Sequence, residues 1–305
     1  MIVIRECRGF EELQACVDLQ IEVWGYSDGD VIPRRVFLVA QKIGGQAIGA
    51  FDTEIRDQGS EIGDDGDASS LVGFAFSLPG VKTGAQSRSG RPESYLHSHM
   101  LAVRDGYRNQ NIGARLKLAQ REDALRRGIE RIEWTFDPVE IKNAFLNIHK
   151  LGAVVRRYEE NFYGVSSSRL QGGLQTDRLV AEWWIASHRV GAAIRGESYT
   201  SPERRGESGE NWVTSIEVPA EIYAWKADER HRHLAQKVQA ENRAKFQRAF
   251  SEGLAVTAFT RDAEGNGTFH LGQWNEPQSE SSSESRRESS LDESLRPEEP
   301  CVKLG

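Results

Sequence analysis

The chain has 305 residues, 28% charged and 38% hydrophobic, an ordinary balance for a globular protein with room for one large core and a smaller module. No run of about 18 apolar residues occurs and the first ten residues break into charge at once, so neither a membrane-spanning helix nor a secretory leader is expected. Of the net charge of -7, -4 belongs to residues 276–305, which hold eight acids and four bases, so the near-neutral body gives no reason to expect a nucleic-acid partner. Three widely spaced cysteines, Cys7, Cys16 and Cys301, lack any paired spacing. They point to a reducing compartment, the cytoplasm, and to no metal site, with Cys7 and Cys16 as small apolar fillers.

In chain order, a helical segment runs from Phe10 to Trp24 and leads into Trp24-Gly25-Tyr26. Strands are expected near Gln46 to Ile55 and Leu71 to Leu78. Polar Gly/Ser/Asp-rich breaks at Asp57 to Ser70 and Gly80 to Ser94 read as surface loops. Leu96 to Arg104 alternates like a strand, Arg108 to Gly113 is a polar turn, and Ile112, Leu116 and Ala119 then fall at helical spacing. A strand Ile129 to Phe136 and a helix Pro138 to Leu151 follow, with Asp137 as N-cap, Pro138 at the first helical position and Gly152 just past the end. Strands are expected again at Val154 to Tyr163 and Arg178 to Ala186. The charged stretch Arg195 to Asn211 reads as a linker. Beyond it, Trp212 to Val218 alternates, Pro219 to Glu252 is helical, and Leu254 to Thr260 with Thr268 to Leu271 form a hairpin around Glu264-Gly265-Asn266-Gly267. From Glu276 the Ser/Glu-rich composition predicts a disordered tail. The organisation expected is therefore a core over 1–188, a linker over 189–211, a small β-α-β-β module over 212–275 and a tail over 276–305. The module is expected to pack on the core or on a second copy, which would make a homodimer.

A strand ending in a polar turn at a helix start suits an anion, because the first helical N–H groups have no internal partner and the helix dipole favours negative charge there. The run Leu101, Ala102, Val103, then four residues, then Arg108-Asn109-Gln110-Asn111-Ile112-Gly113-Ala114 resembles the acyl-coenzyme A signature of the GNAT N-acyltransferase superfamily, an apolar strand followed by Arg/Gln-x-x-Gly-x-Gly/Ala opening a helix. Arg108 matches its first residue and Gly113 its second glycine, while Asn111 stands for the first glycine. Asn is the non-glycine residue most at ease in left-handed backbone, so the turn survives. Asn111 equally suits a helix cap. The resemblance extends over residues 1–188. It implies a mixed α/β fold, a central twisted mixed seven-stranded sheet flanked by helices, with loop amides holding the pyrophosphate of acetyl-CoA or another acyl-CoA and a backbone amide near Leu101 or Ala102 on the thioester carbonyl.

An amine acceptor must lose its proton before it attacks, and amines titrate at about 8 to 10, so a base is useful. His97 and His99, two apart on a strand, share a face. The run His97 to Val103 is similar to the two-histidine strand of arylalkylamine N-acetyltransferases, which implies His99 as the nearer base and His97 as a relay. Packing histidines is the competing reading. Glu133 on the next strand is a rival base, or a solvated or paired carboxylate. Asn143 and Asn147, four apart, share a helix face and are candidates to orient the pantetheine arm. Many members of the family place a leaving-group acid where Ile148 stands; water, or a tyrosine from elsewhere such as Tyr158 or Tyr163, is the substitute, and Trp24, Tyr26, Trp183 and Trp184 are candidates to line an acceptor pocket.

These features together predict a cytoplasmic acyl-CoA-dependent N-acyltransferase acting by direct attack on a small primary amine or amino acid, with no membrane and no nucleic-acid partner. A non-catalytic acyl-CoA-binding sensor or scaffold, and a peptide or protein N-acetyltransferase, are the alternatives.

Overall fold

The computed structural model describes residues 1–27, 29–54, 70–87, 90–197 and 212–275. Most of the expected loop after Asp57, most of the linker and the tail from Glu276 lie outside the described residues.

The elements run β1 (Ile2–Glu6), α1 (Gly9–Trp24), α2 (Arg34–Lys42), β2 (Gln46–Asp52), β3 (Leu71–Lys82), β4 (Glu93–Val103), α3 (Ile112–Arg126), β5 (Arg131–Phe136), α4 (Ile141–Ala144), β6 (Val154–Glu159), β7 (Arg178–Trp184), α5 (His188–Arg195), β8 (Thr214–Val218), α6 (Ile222–Ala227), α7 (Arg232–Ser251), β9 (Leu254–Arg261) and β10 (Gly267–Gln273). The strands form one ten-stranded sheet in the order β1-β2-β3-β4-β5-β7-β6-β9-β10-β8. All neighbours are antiparallel except β4 and β5.

Helices α1 and α2 bury Leu13, Cys16, Val17 and Phe37 against Phe74, Phe76, Met100 and Ala102 on one side of β2–β4. Helix α3 buries Ile112 and Leu116 against Ile48, Ala50, Val72 and Ala75 on the other. A third and larger cluster joins α4, α6 and α7 to β5–β10 and holds Trp134, Trp183, Phe246 and Phe269. α1 ends where Gly25 turns left-handed (φ 65°) and its N–H caps the Ile21 carbonyl at 2.9 Å.

The class and order of elements are those expected, but the sheet has ten strands rather than seven. β1 precedes the helix expected from Phe10, and β8–β10 extend the main sheet through a single register pair, Val155 with Val256. The break expected from Gly80 to Ser94 is narrower, because β3 continues to Lys82 and β4 begins at Glu93. Gly80 is needed there for contact and not for a turn: a Cβ would stand 2.4 Å from the Tyr95 ring. The helix expected from Pro138 starts instead at Ile141. Asp137 Oδ1 accepts from Val139 N at 2.9 Å and so caps the preceding turn, and Lys226 Nζ lies 3.4 Å from its other oxygen. From Phe145 to Lys150 the helix widens to π geometry, and Gly152 follows it in left-handed backbone (φ 73°). The segment Pro219 to Glu252 is two helices, parted at Asp228, whose carboxylate accepts from Arg230 N.

Candidate functional site

The turn between β4 and α3 is exposed and built from left-handed asparagines, Asn109 (φ 64°) and Asn111 (φ 62°). Asn111 stands at the N-cap position of α3, yet its side chain caps nothing, so its use is conformational. Among the described residues no acceptor is found for the main-chain N–H groups of Asn109, Gln110, Asn111, Ile112, Gly113 and Ala114; the first amide bonded beyond them is Arg115, to the Asn111 carbonyl at 3.1 Å. Six successive free amides at a helix N-terminus make a cradle for an anion. The turn is braced from outside. Arg108 pairs with Asp105 at 2.8 Å, Gln110 Nε2 donates to the Gly106 carbonyl at 3.2 Å, and the Tyr107 hydroxyl donates to Asp52 at 2.9 Å. Gly113 has no positive φ, and a Cβ there would meet only Leu101 at 3.7 Å, an ordinary contact. Nothing in the chain's own packing demands glycine at this position.

β4 and β5 pair for two residues only, Leu96 with Ile132 and His97 with Glu133. Past that point the pairing ends, and among the described residues no strand pairs with the β5-facing edge of β4 from Ser98 to Val103. Leu101, Ala102 and Val103 therefore border an opening in the sheet. A bulge lies at the same place: Phe76 opposes Met100 and Ser77 opposes Ser98, which leaves His99 as the extra residue. The bulge swaps faces. Ser98 turns to α3, where Lys117 Nζ donates to its hydroxyl at 2.7 Å, whereas Met100 packs with α1 and α2.

His97 and His99 lie together, ring centroids 6.1 Å apart, with His99 edge-on to Phe76 at 6.5 Å. Burial, helped by His99, pushes His97 down to about 4, and burial lowers His99 as well. The neutral-pH titration expected of them is thus displaced downward. At pH 7 both rings are unprotonated and able to accept.

Glu133 is buried, 3% exposed, and held by Lys82 Nζ at 2.8 Å, Arg157 Nη2 at 3.0 Å and Arg131 Nε at 3.4 Å. Burial works to raise its pKa, but the surrounding cations, Arg157 first, outweigh that and hold it below the ordinary value. It is a permanent counter-ion, which makes it a poor proton acceptor.

Asn143 and Asn147, one turn apart, differ in burial: Asn143 is exposed and Asn147 is buried, with the π turn beginning at Phe145 between them. Ile148 is buried in the main core. Tyr158 donates to Asp177 Oδ2 at 2.5 Å, packs on Phe246 and has its pKa raised by burial, which removes it as an acid. Tyr163 is exposed and its hydroxyl lies 3.1 Å from Thr135 Oγ1 on β5. Trp183 is core, fully buried with Nε1 donating to the Leu151 carbonyl at 2.6 Å; Trp184 lies beside Arg131 and Trp24 stacks on Tyr26.

Two arrangements carry no signal in the sequence. One is a buried polar chain below the fork: Lys117, 2% exposed, donates to Ser98, which donates to Gln120 Oε1 at 2.9 Å. Its amine lies 3.7 Å from the Trp134 ring, so it touches the first residue past the pairing on each strand. The other is a clasp between two loops, where Asp30 accepts from Ser167 N at 2.9 Å and Ser27 N donates to Ser167 Oγ at 3.1 Å. Among the described residues no group of three or more His, Cys, Asp or Glu side chains is placed to hold a metal, and no helix is long and apolar enough to cross a membrane.

No family model and no curated protein matches the chain. Among solved structures it is similar to NAA60 of Arabidopsis thaliana in complex with acetyl-CoA, at 14% identity over 61% of this chain and 100% of that one, TM-score 0.46. It is also similar to the ribosomal-protein-S18-alanine N-acetyltransferase of Escherichia coli, at 13% identity over 61% and 96%, TM-score 0.41. A third is an acetyltransferase of the GNAT family from Streptococcus pneumoniae, at 17% identity over 60% and 98%, TM-score 0.41.

Proposed function

We propose that this chain is an acyl-CoA-dependent N-acyltransferase of the GNAT type, moving an acyl group, most simply acetyl, to a small primary amine. One observation carries the reading: six unpartnered amides at the start of α3 stand at the end of the strand that parts from β5 beside two unprotonated histidines. Amides and helix dipole would take the diphosphate. The thioester arm would follow the opening between β4 and β5, with free main-chain groups of β4 near Leu101 and Ala102 to meet its carbonyl. His99 would accept the ammonium proton, His97 would relay it, and the free amine would attack the thioester carbon. The C–S bond breaks as the C–N bond forms, and the proton shed by the new amide nitrogen passes to the leaving thiolate, whose conjugate-acid pKa of about 8.5 means that the absent tyrosine at Ile148 is no bar.

Titration calorimetry with acetyl-CoA tests binding, and thiol release with an amine panel tests turnover. His99→Ala is expected to lower the rate about 10- to 100-fold at pH 7 and to recover part of it above pH 9, where more acceptor is already neutral. Full activity with an unchanged pH response would take His99 out of the mechanism, and absence of binding heat would end the reading. The buried Ile148 favours one alternative, a binding protein without catalysis. Tight binding with no thiol release from any amine would select it.

A further inference from the structure

The face of β5, β7 and β6 turned away from α4 and α7 carries a cluster of ion pairs, joined by Lys82 from β3. Lys82, Arg131, Arg156 and Arg157 surround two buried acids, Glu133 and Glu182, with Arg156 on Glu182 at 2.6 Å. Farther along, at the start of β7, the guanidinium of Arg178 hydrogen-bonds, among the described residues, to neutral oxygens alone: the Asp177 carbonyl at 3.0 Å and Gln171 Oε1 at 3.3 Å. The Asp177 carboxylate is turned away to Arg243 Nε, at 2.9 Å, and to Tyr158. Glu159 opposes Arg178 in register on β6, yet among the described residues no carboxylate oxygen comes within 4.0 Å of that guanidinium. A half-buried guanidinium without an anion is costly, and its planar fork matches a carboxylate.

By strand register Arg178 lies farther along the face that His97 shares with Glu133. His97 is level with Glu133; Thr135 lies two residues on, about 7 Å along the same face. Thr135 bonds Tyr163, and Arg178 lies 5.3 Å from that ring. The clasp between Asp30 and Ser167 ties the two loops that flank this end of the face.

We propose that the acceptor is an amine that also carries a carboxylate, its amine reaching His99 and its carboxylate received by Arg178. This rests on the acyl-transfer reading above.

The test is initial-rate thiol release from acetyl-CoA by the full chain with amines matched except for the acid: 5-aminovalerate against pentylamine, β-alanine against propylamine, L-phenylalanine against phenethylamine, with O-phosphoethanolamine as a phosphate-bearing arm. At least one carboxylate amine is expected to show kcat/KM about tenfold above its partner. Arg178→Gln should raise KM for that acceptor about tenfold while leaving KM for acetyl-CoA and for the uncharged partner unchanged, and Arg178→Lys should restore part of it. The proposal is overturned if no acid-bearing amine outperforms its partner, if Arg178→Gln moves both members alike, or if O-phosphoethanolamine outperforms every carboxylate. Calorimetry keeps the two readings apart. With no acetyl-CoA heat the acyl-transfer reading fails, and titration of 5-aminovalerate into the wild type and Arg178→Gln decides the anion site, which stands only if the wild type alone binds.

Discussion

At pH 7 His97 carries no added proton in either the folded or the unfolded chain; at pH 5 only the unfolded chain takes one up. Its folded pKa, about 4, lies below the ordinary value of 6.5. Stability is therefore complete above pH 6.5 and is lost as pH falls from 6.5 toward 4, by about 3 kcal/mol in all. His97→Phe should flatten this part of the stability profile, read as the difference between urea midpoints at pH 7 and pH 4.5 for variant and parent. An equal acid loss in both would mean that other groups, Glu133 among them, set the dependence instead. Lys117 works in the opposite range. Burial depresses its ammonium well below the ordinary 10.5, so the folded chain gains stability as pH rises toward that value. Lys117→Met keeps the stem and removes the amine. It should stabilise the protein by about 1–2 kcal/mol at pH 7 and by less at pH 10, measured by thermal unfolding. Destabilisation at both pH values would show that the bonds to Ser98 and the Trp134 ring outweigh desolvation.

α3 and the turn before it separate what local sequence encodes from what it does not. The helical spacing of Ile112, Leu116 and Ala119 and the left-handed tolerance of Asn111 are properties of adjacent residues, and both were legible. The bulge at His99 and the parting of β4 from β5 depend on which residues face each other across strands, and so were not. The same holds for the cage around Glu133, whose cations come from positions 82, 131 and 157. Gly113 offers the sharpest test at this scale. Its backbone is open to any residue and a Cβ has room, so Gly113→Ala should stabilise the fold by about 0.5–1 kcal/mol through helix propensity. If phosphate closes on the amides around it, the same change should weaken acetyl-CoA binding in calorimetry. Gains in both, or losses in both, would remove Gly113 from the cradle.

Over the whole molecule, one apolar cluster runs from Leu96 through Trp183 to Leu271 and ignores the boundary that the charged stretch after Arg195 suggests. β6 and β9 touch in register at a single pair, so side-chain packing, more than the backbone ladder, joins the two parts. Phe246 of α7 is the hinge of that packing: fully buried, it lies 5.8 Å from Tyr158 on β6 and 5.2 Å from Phe269 on β10. Tyr158 in turn shares Asp177 with Arg243 of α7, one helical turn away. Residues 212–275 are thus expected to unfold together with the rest. Phe246→Ala should cost about 3–5 kcal/mol and move a single calorimetric transition downward as one peak. Two peaks, with only one displaced by the substitution, would mean that the C-terminal strands fold as a unit of their own and merely lean on the sheet that carries the histidines.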